Sequence, residues 1–307
     1  MDAIRHSKAF AILVLVGILI VIWYLAAIWL NSPVILDRLS REGVTPSFFE
    51  LVLHTWSYSR PILPAPHQVA IDLFNSTLML APANKRSLIY HAWITLSATL
   101  LGFVMGTILG IVLAIFIVHN AAANRSLMPW IIASQTVPIL AVAPVIVVLF
   151  FNLLTGQNLI AQVLQLKADG AQLVSKGVIS MYLSFFPVVV GMVKGLRSPE
   201  MIQLDLMRTY NASAFQTLRL LRWPAAVPFL FASMKVGVAA SLVGAIVAEL
   251  PTGAQSGIGA KLLIGSYNGQ TVQIWSALIL ASILAGALVA IVGLVERLTI
   301  RAMGARP

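Results

Sequence analysis

The feature that most constrains this chain is a series of apolar runs, each about as long as a bilayer is thick. Ala9–Leu30, Ala92–Val118, Met128–Leu154, Gly177–Val193, Ala225–Leu250 and Ile274–Val295 carry few or no charges, and roughly 20 apolar residues suffice for a helix to cross the hydrocarbon core. In lipid no water is present to satisfy backbone N–H and C=O groups, so each run has to be helical. The expected fold class is all-α, a polytopic membrane protein with six transmembrane helices. Composition points the same way: 59% of the residues are hydrophobic and 10% charged, where soluble domains carry about a quarter charged residues.

The formal net charge of +10 would suit a nucleic-acid binder, but the basic residues form no single stripe and no aromatic-basic motif is present. Basic residues flanking membrane spans account for the excess, so no nucleic-acid partner is expected. Arg5, His6 and Lys8 precede the first apolar run as they would in a secretory signal. That run is longer than a typical signal core, and no small-x-small cleavage site precedes Asn31-Ser32-Pro33, so it reads as an uncleaved first span. Six crossings put both termini on one side. Arg125, Lys194, Arg197, Arg208, Arg219, Arg222, Arg297 and Arg301 would sit on that side in short pieces, which the positive-inside rule assigns to the cytoplasm.

Within the second span, Ala98, Gly102, Gly106, Gly110 and Ala114 recur every four residues. Residues at that spacing share one helix face, and a face of small residues lets another helix approach closely. Pro138 and Pro144 interrupt the third span, either to line a pore where freed carbonyls meet protein or water, or as plain structural kinks. Asn31 to Tyr90 is a long outer segment rich in proline (Pro33, Pro46, Pro61, Pro64 and Pro66 among them), entering an amphipathic helix near Pro66.

Asp205 to Pro228 is a polar, helix-forming stretch between two apolar runs, and so lies in water beside the membrane. Met201–Tyr210 suits a helix, Asn211 a stop, and Ala214–Arg222 a second short helix that ends where Pro224 and Pro228 begin the fifth span. The turn between them calls for a left-handed backbone, which Asn tolerates best after Gly. This stretch resembles the "EAA" loop by which ABC-importer permeases hold their ATPase subunits: Glu-Ala-Ala, Gly after three further residues, then Ile-x-Leu-Pro. Asp205 stands for the Glu, Asn211 for the Gly, Leu221 for the Ile and Trp223-Pro224 for Leu-Pro, while Leu206-Met207 replaces Ala-Ala. Ile62-Leu-Pro-Ala-Pro-His67-Gln-Val resembles the "LP-x-P-x-x-V" stretch of the nitrate/sulfonate/taurine branch. Ile62 to Met303, about four fifths of the chain, is similar to the type-I ABC importer transmembrane domain of the nitrate/sulfonate/taurine/thiamine-precursor group.

The resemblance implies residues 1–88 as a first helix with an outer Pro-rich segment. It implies 89–300 as the type-1 domain with its coupling loop at about 197–228, and 301–307 as a cytoplasmic tail. Coupling to the ATPase would fall to Asp205, Arg208, Asn211, Ala212, Leu218, Leu221 and Pro224. The partners implied are separate ABC ATPase subunits that bind the ATP, a periplasmic or lipid-anchored solute-binding protein, and a second permease copy in a homodimer. The setting is the bacterial cytoplasmic (inner) membrane, and no cofactor is expected on this chain. Asn152 to Lys176 is longer than the family's turn and reads as an outer loop or amphipathic helix able to touch the binding protein.

The candidate translocation path or gate comprises Glu249, Pro138, Gln135 and Lys235. An ionisable group in a span defaults to a functional role; for Glu249 a structural hydrogen-bonding role at the helix end is the alternative. Lys235 either faces a vestibule or snorkels to the interface, the second being preferred. Gly253 to Lys261 fails the phosphate-loop pattern, because Ala260 precedes the Lys and Leu262 follows it. The five His have no ligand spacing and the chain has no Cys, so no metal is expected. No Ser-His-Asp set or carboxylate pair can be assembled, and no catalytic residue is assigned. An ion-gradient-driven secondary transporter is the alternative function; against it stand the absence of inverted repeats and of intramembrane charge pairs. The spans hold no Arg or Lys cluster to fix an oxyanion, which favours a neutral or weakly charged solute such as a pyrimidine or thiamine precursor.

Overall fold

The computed structural model describes residues 8–156, 161–162, 167–250 and 256–304, and among them every regular element is a helix. In order these are α1 (Lys8–Arg41), α2 (Phe48–Ser57), α3 (Pro66–Thr77), α4 (Leu88–His119), α5 (Ala121–Ser134), α6 (Ile139–Thr155), α7 (Ala168–Leu196), α8 (Met201–Thr209) and α9 (Ala214–Thr217). A π-helical turn (Leu218–Arg222) follows, then α10 (Trp223–Glu249), α11 (Ile258–Tyr267) and α12 (Thr271–Ala302). Among the described residues five helical rods are long and apolar enough to cross a membrane, and a sixth crossing results if the bent pair α5–α6 counts as one.

The chain divides into two compact units, one ending at Tyr90 and taking in Lys261–Leu280, the other comprising His91–Ala260 with Ala281 onward. In the first unit α1 overruns the expected Leu30 boundary. At about 1.5 Å per residue, its 34 residues exceed the roughly 30 Å hydrocarbon core. The helix runs on through Pro33, although proline removes the ladder donor to Trp29 O; Ser32 Oγ donates to Ile28 O at 2.5 Å just before it. Asn31, read from sequence as the end of the span, instead ties down the Pro-rich stretch. Its amide donates to Leu63 O at 2.8 Å and accepts from Ile62 N at 2.8 Å, while Trp23 Nε1 donates to Pro64 O at 2.9 Å.

The second unit is built on α7 against α10, with α4, α5, α6 and α12 around them. One apolar cluster joins Ile117, Ile131, Val188, Met192 and Leu230; another joins Phe103, Phe231, Val238 and Leu288. The small face of α4 packs on α7 as its spacing suggests. A Cβ on Gly106 would come within 2.9 Å of Met181 O, and one on Gly110 within 2.7 Å of Val188 Cγ1. A hydroxyl closes the same seam, Ser184 Oγ donating to Gly102 O at 3.3 Å, and Ser241 Oγ of α10 donates to Thr99 O of α4 at 2.7 Å.

Three expectations are corrected here. The third span is not one helix, since α5 and α6 meet at 103°. The break falls at Pro138, which caps α6 from an extended conformation (ψ 93°); a proline also disfavours helix in the residue before it. Pro144, by contrast, lies inside α6. Of the two readings of Asn152–Lys176, the loop gives way to the helix where the stretch is described: Asn152–Thr155 completes α6, and Ala168–Lys176 forms the first turns of α7 with Ala171, Ser175 and Lys176 buried. Finally, Pro224 and Pro228 do not start a separate span. The rod runs unbroken from Ala214 to Glu249, and the wider π turn before Trp223, whose N–H reaches back to Leu218 O, takes up the crowding at Pro224. Arg5, Arg306, Gly253 and residues 157–160 and 163–166 of the long connection lie outside the described residues.

Candidate functional site

The polar loop folds as two short helices about a sharp corner. Glu200 N donates to Gln203 Oε1 at 3.1 Å, starting α8. At its far end Asn211 takes φ +50°, Asn211 N donates to Arg208 O at 2.8 Å, and Ala212 N to Met207 O at 2.9 Å. This pair of bonds is a Schellman motif, which needs a left-handed residue at the position Asn211 fills. Two residues on, Ser213 and Gln216 form a reciprocal capping box: Ser213 N donates to Gln216 Oε1 at 2.7 Å, and Gln216 N to Ser213 Oγ at 3.2 Å. Sequence reasoning missed this box, although Ser-x-x-Gln before an apolar turn is its signature.

The corner leaves much of its apolar surface uncovered: Leu206 is 55% exposed, Tyr210 76% and Phe215 69%. Asp205 pairs with Arg208 at 3.0 Å, both exposed. Leu218 packs at the edge of the main apolar cluster, and Leu221 and Pro224 are half-buried. Arg222 turns inward and donates from Nη1 to Leu196 O at 3.0 Å. That carbonyl is one of those left open at the end of α7, where a cation is favoured by the helix dipole. Arg197 donates to Asn124 Oδ1 at 3.0 Å, so the α7 end is tied both to the rod and to α5.

Glu249, a candidate gate, is fully buried and fully engaged. Thr95 Oγ1 lies 3.0 Å from each carboxylate oxygen, Gly259 N donates to Oε2 at 2.8 Å, and Lys176 Nζ stands 3.8 Å from Oε1. The same Thr95 oxygen accepts from Ile258 N at 2.8 Å, and His91 Nδ1 accepts from Gly257 N at 2.9 Å. Gly257 has φ +119°, and a Cβ on Gly259 would fall 2.8 Å from Glu249 Cβ, so both glycines are dictated by the carboxylate they wrap. His91, Thr95 and Lys176 were not recognised from sequence. The usable signal was Glu249 itself, because a lone acid inside a span requires a nearby cation.

Lys235 pairs with Glu296 of α12, and Gly293, whose Cβ would sit 3.6 Å from Lys235 Cε, leaves room for its stem. With Lys176–Glu249 this makes two ion pairs between the apolar rods, where none was expected. Gln135 lies in the break between α5 and α6, beside a cavity of about 420 Å³ that Ser134, Tyr182, Phe186 and Ala240 also line; Pro138 closes the same break. Among the described residues no group of three or more His, Cys, Asp or Glu side chains gathers for a metal.

Residues 106–304 match the family model of the binding-protein-dependent transport system inner membrane component. The chain is 30% identical to a riboflavin transport system permease protein of Chloroflexus aurantiacus, over 80% of this chain and 81% of that one. It is 27% identical to a probable ABC transporter permease protein of Haemophilus influenzae over 78% and 86% of the two lengths. A formylaminopyrimidine transport permease protein of Halalkalibacterium halodurans is also 27% identical, over 72% and 80%.

Proposed function

The chain belongs to the family of binding-protein-dependent transport system inner membrane components, and from that membership we propose how it works as the small-solute permease of an ABC importer. The α8–α9 corner docks on a separate ATPase subunit, which binds and hydrolyses the ATP. Closure of two such subunits moves the rod from Ala214 to Glu249, and with it the path lined from Gln135 and Pro138. A solute-binding protein delivers the solute from outside, a second copy of this chain completes the pore, and both termini lie in the cytoplasm.

The observation that carries this reading is the corner at Asn211. A left-handed turn holds α8 at a fixed angle with Leu206, Tyr210 and Phe215 uncovered, while Arg222 fastens the rod to α7. Exposed apolar anchors on a rigid, internally capped element suit a protein groove. Asp205 and Arg208, satisfied by each other at the rim, suit its polar border.

The two ion pairs between apolar rods, Lys176–Glu249 and Lys235–Glu296, favour a second reading, a transporter driven by an ion gradient, since charge pairs in spans often mark ion paths. Reconstitution decides between them. Uptake by vesicles holding the permease, its ATPase and its binding protein should require internal ATP and stop when the ATPase is left out. Uptake by the permease alone under a proton or sodium gradient would overturn the importer assignment.

A further inference from the structure

We propose that the cavity at the α5–α6 break is a transit site for an uncharged, planar ring, a solute class that rests on the permease reading above. A helix broken at membrane depth leaves end carbonyls and N–H groups without ladder partners. Such backbone is tolerated only where it is covered by protein or faces a water-filled cavity, and in secondary transporters interrupted helices hold the cargo, a use open to any permease with such a break. The break between Ser134 and Ile139, bent by 103°, opens onto a cavity of about 420 Å³, within the usual range for small-molecule sites.

The lining chooses the ligand. Tyr182 and Phe186 of α7 present aromatic surface, and Ala240 of α10 leaves the far wall low. The Tyr182 hydroxyl donates to Ser134 O, which fixes that ring against the break. The exposed Gln135 amide offers donors and an acceptor together, the pattern that reads the edge of a heterocycle. None of these side chains is charged. Nor do the helices behind them supply a charge: Lys176 of α7 and Lys235 of α10, the cations away from the ends of those helices, are paired with Glu249 and Glu296. Among the described residues that line the cavity an anion would find no cation, whereas a flat neutral ring can stack on one wall and hydrogen-bond to Gln135.

The test uses the full chain co-purified with its ATPase in nanodiscs, with lumiflavin as probe because its ring is planar, uncharged and dimmed by stacking on tyrosine. Saturable quenching is expected for the parent protein. Gln135→Leu should weaken it about tenfold by losing a hydrogen bond to the ring, Gln135→Asn should restore part of the loss, and excess butanesulfonate should not displace the probe. Gln135 is exposed, so its replacement does not disturb packing. No saturable quenching, equal affinity in all three proteins, or displacement by butanesulfonate would each overturn the proposal. ATPase co-purification and ATP-driven uptake measured on the same preparations separate the failures: if both persist while lumiflavin does not bind, the ring site fails and the importer assignment stands. If the parent retains no ATPase, the importer assignment itself is lost.

Discussion

Lys176 Nζ lies 3.8 Å from Glu249 Oε1, with side chains 4% and 0% exposed, and this contact joins α7 to the end of α10. It is a long ion pair whose two partners are completed by other groups: Thr95 and Gly259 for the carboxylate, Ser256 O for the ammonium at 3.4 Å. Removal of either charge leaves the other buried without its counterpart.

Lys176→Met should therefore destabilise the protein by about 3–5 kcal/mol, the range seen when one member of a buried pair is deleted. Glu249→Gln should cost a comparable amount, and the double variant much less than the sum. Thermal unfolding in detergent, run as a double-mutant cycle, reads this directly. Additive losses would mean that the two charges do not depend on each other.

Asn211→Gly should transport and retain ATPase as the parent does, because glycine reaches φ +50° without steric cost. Asn211→Val should lose both, since a strained backbone of this kind costs on the order of 1–3 kcal/mol and would redirect α9. Co-purification of the ATPase with each variant is the measurement; a functional Val variant beside a failed Gly variant would rule out the left-handed corner as the working geometry.

Gly106→Val should force α4 from α7, since its Cβ alone would meet Met181 O at 2.9 Å and overpacking costs about 1–3 kcal/mol. Gly17→Val, on a helix position with open space around it, serves as the control and should be silent in the same melting assay. Equal melting of the two variants would show that the seam yields.

Lys235→Glu and Glu296→Lys should each lower stability and yield by placing two like charges together between α10 and α12, and the combined swap should recover most of the loss. The three variants compared by size-exclusion recovery after heating give the answer. No recovery in the swap would assign the effect to packing around Gly293 and not to the charges.

The helical class, the small-residue seam and the corner at Asn211 were legible because each depends on local rules: apolar length, four-residue spacing, and which residues accept positive φ. What escaped was set by tertiary contact. Lys176 looks like a loop lysine until Glu249 is placed beside it, and Lys235 looks free to snorkel until α12 brings Glu296. Periodicity could not reveal that Asn31, just past the apolar run, stays helical and holds the distant Ile62–Leu63 backbone. Nor could it tell that Pro138 breaks its run while Pro144 does not, since both prolines follow apolar residues.

The π turn at Leu218–Arg222 also sets an azimuth. An α-helix advances roughly 100° per residue, and a π turn inserts one residue more than an α turn would hold. The face that α9 presents to a docking partner is therefore rotated by about that angle from the direction that the lipid-facing pattern of α10 would forecast. Aim is encoded in a residue count and not in side-chain chemistry: substitutions within the turn keep the bearing, while loss of a single residue there would swing Phe215 to a different quarter of the compass.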